Sequence, residues 1–152
     1  MDLRRSADEE ALLASLLALV EGIVARDPRT AGHSANVSRL AALIAAEMGF
    51  PAVHAERVGL AGRLHDLGKA GMRREIVAGR GPLPDADRDE LRRHPEIGAR
   101  MLSGCALEDM GPWVRHHHER IDGEGYPDGL QGASIPVEAR IDLIDALSAT
   151  GL

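Results

Sequence analysis

The chain has 152 residues, 44% of them hydrophobic and 28% charged, which suits one soluble domain with its own core. Its formal net charge of -6 argues against a nonspecific binder of nucleic-acid polymers, whose footprint is usually basic, and requires a locally positive pocket for any anionic substrate. Phe50, Trp113 and Tyr126 are the only aromatics, so the core must be aliphatic, and the abundance of Ala and Leu favours helices over sheets.

Asp8-Glu9-Glu10 gives a first helix the negative charge that its N-terminus prefers. Leu12, Leu13, Leu16, Leu17, Val20 and Val24 then recur at helical spacing, and Asp27-Pro28 closes the segment. Its apolar run, Ala11–Val20, is too short to span a bilayer, and no secretory signal is visible. This segment, 1–26, is expected either to pack on the domain, to pair with another copy, or to link to a sensory or receiver domain. Thr30 looks like an N-cap for a second helix through Val37, Leu40, Leu43, Ile44 and Met48, ended by Gly49. Pro51 opens a third, with Val53, Val58, Leu60, Leu64 and Leu67 along it and Gly68 near its end. The Gly79–Pro84 stretch is a turn, after which Asp85 or Asp87 can cap a helix that Pro95 kinks or divides. A further helix is expected from Leu107 to Arg120. The run Asp122–Gly129 is too rich in Gly and Pro to be helical, and a last helix begins at Ile135-Pro136. The expectation is an all-α bundle, with 27–152 as one domain. The single cysteine, Cys105, excludes an intrachain disulfide, fits a reducing cytoplasm, and reads as a small apolar side chain.

Histidine carries the chemical signal. Seven are present, and His33, His65, His94, His116, His117 and His118 fall on expected helices or at their ends. His65-Asp66 precedes Gly68-Lys69, so an imidazole, a carboxylate and an ammonium can share one face one turn apart. Imidazole with carboxylate suits Fe, Mn, Zn, Co or Ni. Two such ions can activate a bridging water and neutralise phosphate oxygens during in-line attack. Three consecutive histidines on a helix, about 100° apart, cannot all face one centre. His54 reads as a surface histidine.

The stretches Asp27-Pro-Arg-Thr-Ala-Gly-His33, Leu64-His-Asp-Leu-Gly-Lys69, His94-Pro-Glu-Ile-Gly98, His117-His-Glu-Arg-Ile-Asp-Gly-Glu-Gly-Tyr-Pro127 and Asp142-Leu-Ile-Asp-Ala146 resemble, in order, the motifs of the HD-GYP family of the HD phosphohydrolase superfamily. The resemblance covers about Glu21 to Ala149. It implies a helical HD-domain bundle and a metal centre ligated by His33, His65, Asp66, His94, His117, His118 and Asp142, which leaves His116 at the surface or the margin of the site. It also implies iron or manganese as the metal, and hydrolysis of cyclic di-GMP to pGpG or GMP. Asp66 and Lys69 would act in catalysis, with Lys69, Arg120 and Tyr126 contacting substrate. Some members carry a glutamate four residues before the first histidine that supports a third metal. Here that position is Arg29, so two metals are expected. The Gly-Tyr-Pro loop lines the pocket, presents Tyr126 to a partner or braces the metal helix, and Arg120 and Asp122 are expected to pair across its neck.

Two departures from the family pattern stand out. Family members usually have about four more residues between Arg140-Ile141 and the metal aspartate. Their absence would shorten the helix by about one turn, ~6 Å, which makes Asp145 the fallback ligand. The chain also stops before a segment that in the family supplies basic residues for substrate phosphate. Besides the active cyclic di-GMP phosphodiesterase, two other readings stay open: an HD phosphohydrolase acting on another nucleotide, and a non-catalytic module that keeps metal or nucleotide binding.

Overall fold

The acidic start and apolar repeat of the N-terminal segment form helix α1, Ala7–Arg26, whose Leu16, Val20 and Ile23 are buried. In the computed structural model, residues 7–26, 33–78 and 81–142 are described, the side chain of Asp142 excepted, and they contain helices and turns but no strand. No described helix is long and apolar enough to cross a membrane. The end of α1 is tied down: Arg26 Nη1 donates to the carbonyls of Ala70 and Met72 at 3.1 Å each. That bond fastens α1 to the segment that follows His65-Asp66.

Helix α2, His33–Glu47, buries Val37, Ala41 and Ala45, spaced at i, i+4 and i+8 on one face. Gly49, at φ 86, ends it as expected, and the amide of Phe50 reaches back to the Ala45 carbonyl at 3.1 Å. This is the capping pattern of a left-handed C-terminal glycine. Thr30, the expected N-cap, lies outside the described residues. Helix α3, Ala52–Leu64, buries Ala55, Val58, Gly59, Ala61, Gly62 and Leu64. It packs closely against α2: a Cβ on Gly59 would sit 2.7 Å from the Ser38 carbonyl oxygen and 2.9 Å from the Ala42 methyl. Small side chains on facing helices let the backbones approach, which is how a chain poor in aromatics fills its interior.

The expected third helix is shorter than its apolar pattern suggested. Its α-helical part stops at Leu64, His65 and Asp66 occupy the exit, and a 3-10 turn runs over Leu67–Gly71. Short helices α4, Arg74–Ala78, and α5, Asp85–Leu91, follow. Pro84 holds the N-cap position of α5, and neither Asp85 nor Asp87 makes a side-chain cap bond. Pro95 does divide this region: α6, His94–Leu102, starts afresh with the proline in its first turn, where a missing N–H costs nothing.

The helix expected from Leu107 to Arg120 is replaced by a 3-10 turn, Glu108–Met110, and α7, Gly111–Arg115. His116, His117 and His118 therefore sit in a turn. After the glycine-rich loop and a 3-10 turn at Gly132–Ser134, α8 covers Val137–Asp142. The core joins Leu16 and Val20 of α1 to Val58, Leu64, Leu67, Leu102, Met110, Trp113, Val114 and Ile141.

His54 corrects its surface assignment. It is half-buried, stacks on Phe50 with centroids 4.7 Å apart and meets Trp113 edge-on at 5.3 Å. Its Nε2 donates to Glu138 Oε1 at 2.9 Å. These contacts, from residues up to 84 positions apart in the chain, join α3, α7 and α8. Cys105 is half-buried, with Sγ 3.0 Å from the Leu102 carbonyl.

Candidate metal centre

Four elements bring the histidines together: the start of α2 (His33), the exit of α3 (His65, Asp66), the start of α6 (His94) and the turn after α7 (His117, His118). Two glycines make the approach of the 3-10 turn Leu67–Gly71 to α6 possible. A Cβ on Gly68 would overlap the His94 carbonyl oxygen and lie 2.8 Å from the Gly98 amide nitrogen. Gly68→Ala should therefore push the His65-Asp66 turn away from His94 and cost about 1–3 kcal/mol by overpacking. A lower urea midpoint together with loss of bound metal is the expected result; an unchanged midpoint would mean that the two backbones do not depend on this contact.

The rings share one mode of support. His65 Nδ1 donates to the Gly62 carbonyl at 2.6 Å, His94 Nδ1 to Leu91 at 2.7 Å, and His117 Nδ1 to Val114 at 2.7 Å. Each acceptor lies three residues back along the chain. A carbonyl oxygen can only accept, so each of these rings carries a proton on Nδ1 and turns Nε2 inward. Orientation of a ligand imidazole through its second nitrogen is the usual support in metal sites.

The inward atoms converge. His94 Nε2 lies 3.2 Å from His117 Nε2 and 3.2 Å from Asp66 Oδ1. His65 Nε2 lies 3.4 Å from Asp66 Oδ2. His94 is 1% exposed, and His65, Asp66 and His117 are buried as well. Two sets of donors result, His94 with His117 and His118, and His65 with Asp66 and His117, each with its ligand atoms within 4.8 Å of one another. Both contain His117, whose Nε2 has a single lone pair and so can serve one ion only. His33 stands beside them, its ring centroid 6.0 Å from that of His65.

Electrostatics favour a cation here. Burial pushes the His94 and His117 pKa values down, His117 further because of the neighbouring His118, His65 and His94. Burial and His94 bring His118 to about 3. These rings are neutral at physiological pH, so His94 and His117 face each other as two lone pairs with no proton to share. A separation of 3.2 Å fits neighbouring ligands of one ion with bonds of about 2.1 Å. At His65 burial opposes charge, but the Asp66 carboxylate outweighs it and raises the pKa to about 9. Asp66 is itself held well below the ordinary carboxylate range: its burial is outweighed by His65 and Lys69. A divalent ion would take the place of the proton that His65 and Asp66 share. The donor set fits a divalent metal bound by imidazole and carboxylate.

The remaining expected residues divide into those at the centre and those beside it. Lys69 Nζ contacts Asp66 Oδ1 at 2.7 Å. Tyr126 stacks on His118, with centroids 4.7 Å apart and planes at 20°; burial raises its phenol to about 12, so it stays a hydrogen-bond donor. Arg120 is exposed and paired with Asp122 at the neck of the loop, outside the group of inward donors. Asp142 closes the described part of α8, but its side chain lies outside the described residues, as do Arg29 and Asp145. His116 does belong to the margin: its Nε2 donates to Asp128 Oδ2 at 2.9 Å, beside the Arg115 guanidinium, which donates twice to the same carboxylate at 2.8 Å.

Sequence reasoning missed Glu119. It is 0% exposed and accepts three backbone amides of the loop: Asp128 at 2.7 Å, Gly129 at 3.1 Å and Leu130 at 2.9 Å. A Cβ on Gly125 would run into the backbone of Glu119 and Arg120. The loop thus folds back on the histidine turn, with Glu119 at its centre and Tyr126 laid over His118. A carboxylate placed directly between paired histidines and a glycine-rich loop was the available signal. Glu119 and Asp128 also approach His116, but Glu119 is occupied by amides and Asp128 by Arg115, so this trio is a brace for the loop.

Comparison with known proteins agrees with the geometry. A family model described as HD domain matches residues 18–146. The chain is 36% identical over 146 residues to the cyclic di-GMP phosphodiesterase response regulator RpfG of Xanthomonas campestris, which covers 91% of this chain and 39% of the relative. It is 38% identical over 141 residues to a cyclic di-GMP phosphodiesterase of Pseudomonas aeruginosa, covering 89% and 34%. To the 3'3'-cGAMP-specific phosphodiesterase 1 of Vibrio cholerae it is 31% identical over 146 residues, covering 91% and 33%. The chain thus spans between a third and two-fifths of the length of these relatives. With the match running from α1 through α8, and the motif histidines and Asp66 gathered at one buried centre, the chain belongs to the HD domain family, in its HD-GYP group.

Proposed function

We propose that this chain is a metal-dependent phosphodiesterase that hydrolyses cyclic di-GMP to pGpG, to GMP or to both. The observation that carries the chemistry is the gathering of buried donors around His94 Nε2, which lies 3.2 Å from both His117 Nε2 and Asp66 Oδ1, with no proton between the two imidazole nitrogens. The substrate is taken from the names of the relatives. Two divalent ions, iron or manganese, with Zn, Co and Ni also compatible with the donors, would supply Lewis acidity and a nucleophile from water at neutral pH. His33, His65, Asp66, His94, His117 and His118 would hold them, with Asp142 completing the set from α8.

The protein's own groups do the positioning. Lys69, fixed against Asp66, offers its remaining N–H donors to a phosphate oxygen. Tyr126, protonated and lying over His118, offers a neutral hydroxyl at the same mouth. Arg120 would meet substrate at the neck of the loop after exchanging Asp122 for an anionic oxygen. The buried walls keep bulk water from the donors, which strengthens every charge interaction within.

The test is incubation of Mn- or Fe-loaded protein with cyclic di-GMP, with products separated by chromatography and metal content measured in the same sample. Release of pGpG or GMP is expected; no product from protein with metal bound would overturn the reading. Identity to cGAMP-specific relatives in Vibrio cholerae, 31% and 35%, favours 3',3'-cGAMP as the second substrate to assay in parallel. A cytoplasmic setting fits the single cysteine. We also propose that α1, which leaves Leu19 exposed, contacts a second copy or a preceding sensory or receiver domain; light scattering of the purified chain distinguishes monomer from dimer.

A further inference from the structure

Arg92, which directly follows α5, is a cation at the rim of the centre. Its guanidinium carbon lies 5.0 Å from the Tyr126 ring centroid, over the ring, and Tyr126 in turn stacks on His118. The order outward from the metal donors is therefore His118, Tyr126, Arg92. Other cations nearby are engaged with carboxylates: Lys69 with Asp66, Arg115 with Asp128 and Arg120 with Asp122. Among the described residues, no acidic side chain forms a salt bridge with Arg92.

A guanidinium held over an aromatic ring keeps its N–H groups for an acceptor, and their fork matches the oxygens of a phosphate. A cyclic dinucleotide carries two phosphodiesters. Only one of them can lie at the buried donors at a time, and the other remains an anion across the macrocycle. We propose that Arg92 binds this second, uncleaved phosphate, with Tyr126 as the platform that holds its side chain beside the centre. The inference rests on the cyclic-dinucleotide reading given above, and it makes Arg92 a determinant of preference for two-phosphate ligands.

The test compares equilibrium binding of pGpG, which has two phosphates, with that of GMP, which has one. Protein with Arg92→Ala, Arg92→Lys or, as a neighbouring control, Arg93→Ala is titrated with each. For Arg92→Ala the pGpG affinity should fall about tenfold or more while GMP changes by about twofold or less, as expected for loss of one charge-assisted contact. Arg92→Lys should fall between wild type and Arg92→Ala, and Arg93→Ala should match wild type for both ligands. The dependence of pGpG affinity on salt should also become shallower in Arg92→Ala. Unchanged pGpG affinity would overturn the proposal. So would equal weakening of both ligands, which would mean that Arg92 only props Tyr126. If wild type binds pGpG with the expected Arg92 dependence but hydrolyses no cyclic dinucleotide, the phosphodiesterase reading fails and this inference stands; if wild type binds neither ligand, both fall.

Discussion

Asp66→Ala is expected to empty the centre of metal and to lower turnover by about a thousandfold or more, since metal charge stabilisation is worth several kcal/mol and each 1.36 kcal/mol is a factor of ten. Asp66 earns this weight by position. One carboxylate oxygen faces His94 and Lys69 and the other faces His65. Its removal deprives the His65–Asp66–His117 set of its anionic member, takes the carboxylate from beside His94 and leaves Lys69 without its carboxylate partner. Asp66→Asn keeps the volume and separates loss of charge from loss of fold; it should lose metal with a smaller change in thermal midpoint. Lys69→Ala is the contrasting variant. Lys69 is not a donor to metal, so metal content should stay near wild type while turnover falls by about ten- to a hundredfold from one lost charged contact to phosphate. Elemental analysis beside steady-state rates decides the matter. Metal retained at full stoichiometry in both Asp66 variants would remove this residue from the ligand set.

Glu119→Ala should destabilise the protein by about 3 kcal/mol, because three loop amides lose their acceptor and each costs about 1–3 kcal/mol when left unpaired, less where water reaches it. For a domain of this length that corresponds to a thermal midpoint lower by about 10 °C. Glu119→Gln should cost less, about 1–2 kcal/mol. A glutamine can keep one oxygen for the amides of Asp128 and Gly129, but its NH2 group then confronts the donor of Leu130. The order wild type, Gln, Ala in stability distinguishes this amide-binding role from simple packing, under which Gln would match wild type. Both variants should loosen the loop and lift Tyr126 from His118. Turnover should then fall while metal content is largely kept, since His94 and His117 are oriented by the carbonyls of Leu91 and Val114, away from the loop. Equal midpoints for all three proteins would show that the loop does not depend on Glu119.

Much of the candidate site is legible in the sequence. His65, Asp66 and Lys69 are close in the chain, and a turn of any helical kind puts the lysine against the aspartate. The order of His33, His94, His117 and His118 pointed to one centre; His94, His117 and His118 form one group of donors, and His33 stands beside His65. The helical class followed from the Ala and Leu content and the spacing of apolar residues in α1 and α2. Gly49 announced the end of α2 because few other residues take a positive φ there.

Other features were set by contacts between distant segments. The histidine triplet was read on a continuous helix, but α7 ends at Arg115 because Glu119 turns inward to gather the amides of a loop up to eleven residues further on. That turn sends His117 and His118 to the centre and His116 to Asp128, a division that helical geometry alone does not give. Local propensity lost here to a buried carboxylate that needs hydrogen-bond donors. His54 looked like a surface residue because nothing near it in sequence, Phe50 apart, announces Trp113 or Glu138. The bonds from imidazole Nδ1 to carbonyls three residues back depend on each histidine standing just beyond or at the start of a helical turn, and Gly68 lets the 3-10 turn after Asp66 close on the start of α6. Sequence by itself thus determined the candidate donors, their order along the chain and the helical class, because these depend on residue type and short-range spacing. Tertiary structure decided which nitrogen of each ring faces inward, what holds the Gly-Tyr-Pro loop, and that Arg92 joins the rim, because each depends on segments that packing alone brings together.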